Sequence, residues 1–321
     1  MTETVLVTGG AGAIGYWLSK KLSDDGKEVH VVDRFIHKNR DEYFENLIKK
    51  DNVTLLELDL CNIGDLEKIP FNYDVIYHLA AYNGTQNFYE KPFDVLANST
   101  LPTINLLKWV SSQEKKPRFI YASSSEAYAG AVTHYNAKVP TPEDVHLVID
   151  DPKNMRWSYG GSKLHGELAV FAASAQFDIP VTVMRFHNVY GVRMGLNHVI
   201  PDFISRAISG KYELHGYEDT RSFIYVEDAV DATIKVSKSP KFVNDIVNIG
   251  SEDEIKIIDL AKIILAILDI NAEIKLFESP KGSVRRRCPD ISKLKNEIGP
   301  ISKIGLEEGL EKVINYMKKV R

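Results

Sequence analysis

The chain has 321 residues, 44% hydrophobic and 26% charged, an ordinary balance for a folded protein with room for one large domain or two lobes. Its 40 basic and 44 acidic residues are scattered and leave a formal charge of -4, so neither a nucleic-acid partner nor a membrane surface is expected. The only cysteines, Cys61 and Cys288, lie far apart and outside any CxxC or Cys/His cluster; neither a disulfide framework nor a metal site is expected, and a cytoplasmic location fits.

The first residues lack a basic segment followed by an apolar run and a cleavage site, so export is not expected. Runs rich in Val, Ile and Leu at 5–8, 29–33, 54–58, 75–79, 119–123, 181–186 and 246–249 read as strands. Between them lie helical patterns with apolar stripes, at 14–23, 98–111 and 161–176. Strands alternating with helices predict a parallel sheet covered on both faces, a doubly wound Rossmann-type α/β fold. Residues 1–187, rejoined by about 222–250, are expected to form the dinucleotide-binding domain, with 188–221 and 251–321 as a smaller substrate lobe. Within that lobe 255–270 reads as one amphipathic helix, because Lys256, Asp259, Lys262 and Asp269 interrupt its apolar run. The irregular stretch 129–156 is long for a loop, which suggests a functional one.

Chemistry concentrates at the carboxyl ends of the expected strands. In VLVTGGAGAIG, the residues Gly9, Gly12 and Gly15 follow the first strand and open the first helix, with Ala13 and Ile14 between them. Glycines there allow a tight turn and close approach of backbone N–H groups to a pyrophosphate. Asp33, at the end of the second strand, suits the ribose hydroxyls of NAD and repels the 2′-phosphate of NADP. Arg34 beside it either softens that preference or is a solvated surface arginine, the reading favoured here. Asp59 and Leu60 end the third strand, and Leu79, Ala80 and Ala81 follow the fourth. Ser123 ends the fifth, and Ser124, Ser125 and Glu126 directly follow it. Tyr159 and Lys163, four residues apart, project from one helical face. A hydroxyl, a phenol and an ammonium are the parts needed to move a proton from an alcohol while hydride goes to a nicotinamide.

The ordered set TGGAGAIG, Asp33, HLAA, Ser124, Tyr159-x-x-x-Lys163 and RFHNVYG resembles the extended short-chain dehydrogenase/reductase family of NAD-dependent nucleotide-sugar epimerases and dehydratases, over nearly the whole chain. The resemblance implies that Tyr159 is the base, that Lys163 holds the nicotinamide ribose and favours phenolate, and that Ser124 orients the sugar. It extends the expected NAD contacts to Asn98, Ser123 and Phe186, alongside the residues above. A nucleotide-diphosphate sugar is the implied partner, with Ser125, Asn188, Asn197, His198, Val199, Arg221, Arg287 and Asp290 as expected contacts. Arg285 and Arg286 read instead as a solvated basic run. Relatives commonly pair through two helices per subunit, so a homo-oligomer, dimer or tetramer, is expected.

Within that family the expected outcome is 4-epimerisation. A 4-dehydrogenase releasing the keto sugar, GDP-heptose among its substrates, is an alternative. So is a 4,6-dehydratase or decarboxylase using Glu126, which stands two positions after Ser124 as it commonly does in those branches. Ser125 occupies the place of the aspartate found in dTDP-glucose-type dehydratases but agrees with the GDP-mannose type. No cysteine lies between Cys61 and Cys288, which argues against 3,5-epimerase chemistry. A non-catalytic NAD sensor is disfavoured because Tyr159 and Lys163 are both present.

Overall fold

The computed structural model describes residues 2–36, 40–279 and 283–320. Six strands run in chain order: β1 (Thr4–Thr8), β2 (Glu28–Asp33), β3 (Val53–Glu57), β4 (Val75–His78), β5 (Arg118–Ser124) and β6 (Val181–Phe186). With the strand Asp245–Ile249 they form one parallel seven-stranded sheet, in the order Asp245–Ile249, β6, β5, β4, β1, β2, β3. The order reverses between β1 and β4, which opens a crevice at their carboxyl ends, where open α/β sheets bind ligands.

The central strands are apolar throughout because both faces are covered. On one face α1 (Ala13–Asp24), α2 (Glu42–Ile48) and the helix Val226–Lys238 bury Leu18, Leu22, Phe44 and Val230 against Val5, Val7 and Val31. On the other, Leu66 of the short α3 (Ile63–Leu66) packs with Leu106 and Val110 of α5 (Pro92–Ser111) and Val170 of α7 (Trp157–Phe177) around Leu6, Ile76 and Val183. Between these helices come α4 (Thr85–Glu90) and α6 (Ala129–His134). A third core gathers Phe203 and Ile204 of the helix Val199–Ile208, Leu260 and Ile264 of Ile257–Ile267, and Leu310 and Ile314 of Leu306–Lys319.

Three elements differ from the sequence expectation. Helix α5 begins at Pro92, a residue suited to a first helical turn, and passes through Pro102 rather than starting at 98. Helix α7 begins at Trp157 rather than 161; Gly160 belongs to it, since a Cβ there would stand 2.8 Å from the carbonyl oxygen of Glu126. The pattern at 255–270 divides into a strand, Glu254–Lys256, and the helix Ile257–Ile267, because Glu254–Lys256 pairs antiparallel with Thr220–Ser222. The stretch 129–156 is irregular after the short α6. Among the described residues no helix is long and apolar enough to cross a membrane.

Candidate active site

The glycine turn closes the amino end of the crevice. Gly9 has φ +69, and a Cβ on it would stand 2.8 Å from the backbone nitrogen of Ala80. A Cβ on Gly15 would overlap the carbonyl oxygen of Gly9, so helix and turn touch through backbone alone. Gly12 caps α1 without a side chain over its first N–H groups, and Ala13 and Ile14 form the first turn. This cradle fits a dinucleotide pyrophosphate, which an uncapped helix N-terminus attracts. Leu79 and Ala80 line the opposite wall, their N–H groups donating to the backbone and hydroxyl of Thr8 at 3.1 and 3.3 Å, and Ala81 follows. Asp33 accepts from the N–H of Ala11 at 3.0 Å and of Phe35 at 2.7 Å, which fixes its carboxylate beside the glycine turn.

Arg34 is not the solvated arginine expected. Its guanidinium donates to Asp59 at 2.7 Å and to Asn98 at 2.8 Å, joining the ends of β2 and β3 to α5. Burial opposes ionisation of Asp59, but the backbone N–H of Cys61 and the Arg34 charge outweigh it and hold the carboxyl below its ordinary value. Leu60 is buried beneath this group, and Asn105 donates to its carbonyl at 2.9 Å.

Successive turns of α7 carry the central residues. Tyr159 is 8% exposed and stacks on Phe88 of α4, with ring centres 5.1 Å apart. Burial raises its pKa, the Glu126 charge adds to that, and a hydrogen bond with Ser124 works against both. The Lys163 ammonium is buried, donates to the carbonyl of Ala122 at 2.6 Å and lies 5.1 and 5.6 Å from the ring centres of Tyr121 and Tyr159. Burial lowers its pKa to about 8, with Glu167 opposing.

Ser124 ends β5 and accepts from the N–H of Glu126 at 3.2 Å; Ser125, buried, opens the turn that follows. The Glu126 carboxylate accepts from Arg287 at 2.7 Å and from Arg156 at 3.2 Å. Arg221 is the register partner of Arg287 on the neighbouring strand. Burial favours the neutral acid at Glu126, yet Arg287 and Arg156, with Arg221 contributing, hold its pKa below the ordinary value. Arg221 is itself pushed down to about 10, first by burial and then by the charge of Arg287.

Other expected contacts are placed differently. Ser123 turns its hydroxyl to the buried Glu167, so its side chain belongs to the protein interior rather than to a cofactor surface. The Asp290 carboxylate accepts from the N–H of Ser292, the first residue of the helix Ser292–Ile298, at 2.9 Å. Arg286 is exposed but ion-paired with Glu254 at 2.8 Å rather than merely solvated. Asn188, at φ +36, donates to the carbonyl of Ser222 at 2.9 Å. Asn197, His198 and Val199 lie on the segment entering the helix Val199–Ile208, and Phe186 ends β6 against the core. The structure adds Arg156 and Phe88 to the site. Arg156 adjoins the Trp157–Tyr159 motif, a signal that sequence reasoning passed over; nothing in the sequence around Phe88 marks it.

The NAD dependent epimerase/dehydratase family matches residues 5–250. The chain belongs to that family. It is therefore an NAD-dependent enzyme of the nucleotide-sugar epimerase, decarboxylase and dehydratase kind. A UDP-N-acetyl-alpha-D-glucosaminuronate decarboxylase of Bacillus cytotoxicus is 31% identical over 100% of this chain and 99% of its own length. The UDP-glucuronic acid decarboxylase 1 of Xenopus tropicalis is 33% identical over 99% of this chain and 72% of its own. Among solved structures, the UDP-glucuronic acid 4-epimerase of Bacillus cereus, in complex with UDP-glucuronic acid and NAD, superposes with a TM-score of 0.88 at 26% identity, covering 99% of this chain and 100% of that one. This epimerase/dehydratase family member thus has relatives acting on UDP-linked uronic acids on both sides of the decarboxylase and epimerase divide.

Proposed function

We propose that this enzyme decarboxylates a UDP-hexuronate through a 4-keto intermediate. The observation that carries the reading is Glu126, held between Arg287 and Arg156 beside the Ser124–Tyr159 pair. With Arg221, three guanidiniums gather around this carboxylate, and guanidiniums suit a diphosphate and a sugar carboxylate. The expected 4-epimerase is thereby displaced to second place. The likeness to the B. cereus 4-epimerase keeps epimerisation of the same uronate as the competing outcome.

In this reading Tyr159 accepts the proton of the sugar C4 hydroxyl, and Ser124 hydrogen-bonds the same oxygen. NAD, which the glycine turn and Asp33 would hold, would supply the hydride acceptor for oxidation at C4 and the hydride donor for the final reduction, so the reaction would have no net oxidation. Lys163 places a positive charge beside the phenol and favours its ionised form. The ketone at C4 is β to the C6 carboxylate; the C5–C6 bond breaks, its electron pair passes toward the C4 oxygen, and carbon dioxide leaves. Tyr159 and Ser124 hold the resulting enolate oxygen, C5 takes a proton from solvent, and Tyr159 returns its proton to the C4 oxygen when C4 is reduced. Glu126 stays ionised, orienting Arg156 and Arg287 toward the anionic groups.

The proposal includes the division of labour between the sheet, which holds NAD, and the lobe of 188–221 and 251–321, which holds the sugar. A homodimer through α5 and α7 is also part of it, because Phe93, Leu96 and Leu101 of α5 and Leu168 of α7 are exposed. Cys61 and Cys288 are both free thiols, in keeping with a cytoplasmic location. The test is incubation of the purified protein with UDP-glucuronate, followed by mass spectrometry. A product lighter by one carbon dioxide supports decarboxylation; an unchanged mass with a new stereoisomer establishes the epimerase, and no product with any UDP-hexuronate sinks the reading.

A further inference from the structure

Tyr159 and Lys163 are the first two members of a ladder on α7 whose third, Glu167, lies one more turn along and is 3% exposed. Its carboxylate accepts from the hydroxyl of Ser123 on β5 and from Arg185 on β6, through Nε at 3.0 Å and Nη2 at 2.8 Å. Arg185 is 1% exposed and donates its remaining Nη1 to the carbonyl of Glu143 at 2.8 Å. Ser123 adjoins Ala122, whose carbonyl receives the Lys163 ammonium, so two consecutive residues of β5 fix two consecutive turns of α7. No part of the proposed chemistry uses Glu167 or Arg185.

We infer that Glu167 is a positioning residue for Lys163: anchored by Arg185 and Ser123, its carboxylate is the buried counter-charge that keeps the Lys163 ammonium seated beside Tyr159. The inference rests on the proposed roles of Tyr159 and Lys163. The groups facing Lys163 are Tyr159 and Glu167 from α7, Tyr121 from β5 and His78 from β4, with Arg185 of β6 behind Glu167. His78 is neutral, its pKa pushed down to about 3 by burial and then by Lys163, and burial pushes the phenols of Tyr121 and Tyr159 up, so Glu167 is the standing anion and Tyr159 ionises only with the help of the Lys163 charge. Glu167 is the charge that opposes the desolvation of Lys163. Without it Lys163 and Arg185 would be two buried cations sharing one region. Arginine does not give up its proton, whereas a buried lysine does, so Lys163 would be the group to lose its charge.

Two variants separate this from a merely structural pair. Glu167→Gln removes the counter-charge, and the proton affinity of Lys163 falls by about tenfold or more. Arg185→Met removes the guanidinium that answers the Glu167 charge, and the proton affinity of Lys163 rises. The readout is the titration of Lys163 in protein carrying lysine labelled with carbon-13 at Cε, its resonance assigned by loss in Lys163→Arg, with the pH profile of turnover as a second arm. Opposite displacements in the two variants establish the role, and where only one of them folds, the direction of its shift decides. Titrations that stay at the parent value, or move the same way in both, overturn it. The resonance needs no substrate, so movement without turnover of UDP-glucuronate would sink the proposed reaction and leave this inference standing.

Discussion

Glu126→Gln keeps the shape of the side chain and removes its charge. One carboxylate oxygen accepts from Arg287 at 2.7 Å and the other from Arg156 at 3.2 Å, so whichever way the amide turns, its NH2 group meets a guanidinium donor. The side chain of Glu126 is 16% exposed and those of both arginines 13%, which leaves little water to screen the orphaned charges. Breaking a buried pair from one side costs about 3–5 kcal/mol, a large part of a total stability of roughly 5–15 kcal/mol. Denaturant unfolding of Glu126→Gln, Arg156→Met and the double variant measures the loss. The single Gln variant is expected to lose about 3–5 kcal/mol, and the double variant less than the sum, with a coupling of about 0.5–3 kcal/mol. UDP, whose diphosphate replaces the missing negative charge, should stabilise the Gln variant more than the parent. A Gln variant within about 0.5 kcal/mol of the parent, the usual range for a surface change, would refute the clamped-carboxylate account.

Three further outcomes are expected. Gly15→Ala puts a methyl group 2.7 Å from Gly10 Cα, a clash costing about 1–3 kcal/mol that the helix preference of alanine only partly offsets, and calorimetry should show NAD affinity reduced by about tenfold or more. Asp33→Ser removes a carboxylate fixed by Ala11 and Phe35; NAD binding should weaken by about 1.5–3 kcal/mol while NADP binding does not, measured by competition of the two cofactors. Lys163 falls from an ordinary 10.5 to about 8, so its charge is present below that pH and lost above it; turnover should decline as pH rises through about 8. Between about 8 and 10.5 the unfolded chain binds the proton that the folded one has released, so this group makes the fold more stable as pH rises across the window, which melting curves at those pH values check.

Local spacing makes much of the crevice readable. The glycines, Asp33 and the Tyr159–Lys163 pair each sit on a single turn or strand end; the strand pattern places the glycines and Asp33 at the carboxyl edge of the sheet, and the family resemblance adds the Tyr159–Lys163 pair. Ser123 and Ser124 are not told apart by strand alternation, because their partners Glu167 and Tyr159 both lie on α7. Asp290 is open to a local reading: an aspartate two residues before Ser292 is placed to accept from its N–H in a turn. Arg34 is not, because its partners come from β3 and α5, and a sequence window around it shows only a charged residue after a strand.

The resemblance names Arg221, Arg287 and Glu126 one by one, but their convergence with Arg156 is not legible in the sequence. Glu126 follows β5, Arg156 precedes α7, and Arg221 and Arg287 meet through the pairing of Thr220–Ser222 with Arg286–Arg287. Distant segments of one chain must converge before their charges can be counted together. Once they have converged, Glu126 pairs with both Arg287 and Arg156, and Asp219 stands 3.6 Å from Arg221. Such a cluster is weak evidence of stability, since apolar residues of similar volume would serve as well. On the proposed reading its use is to meet an anionic ligand, a substrate carrying both a diphosphate and a carboxylate, beside the phenol and ammonium that act on the sugar.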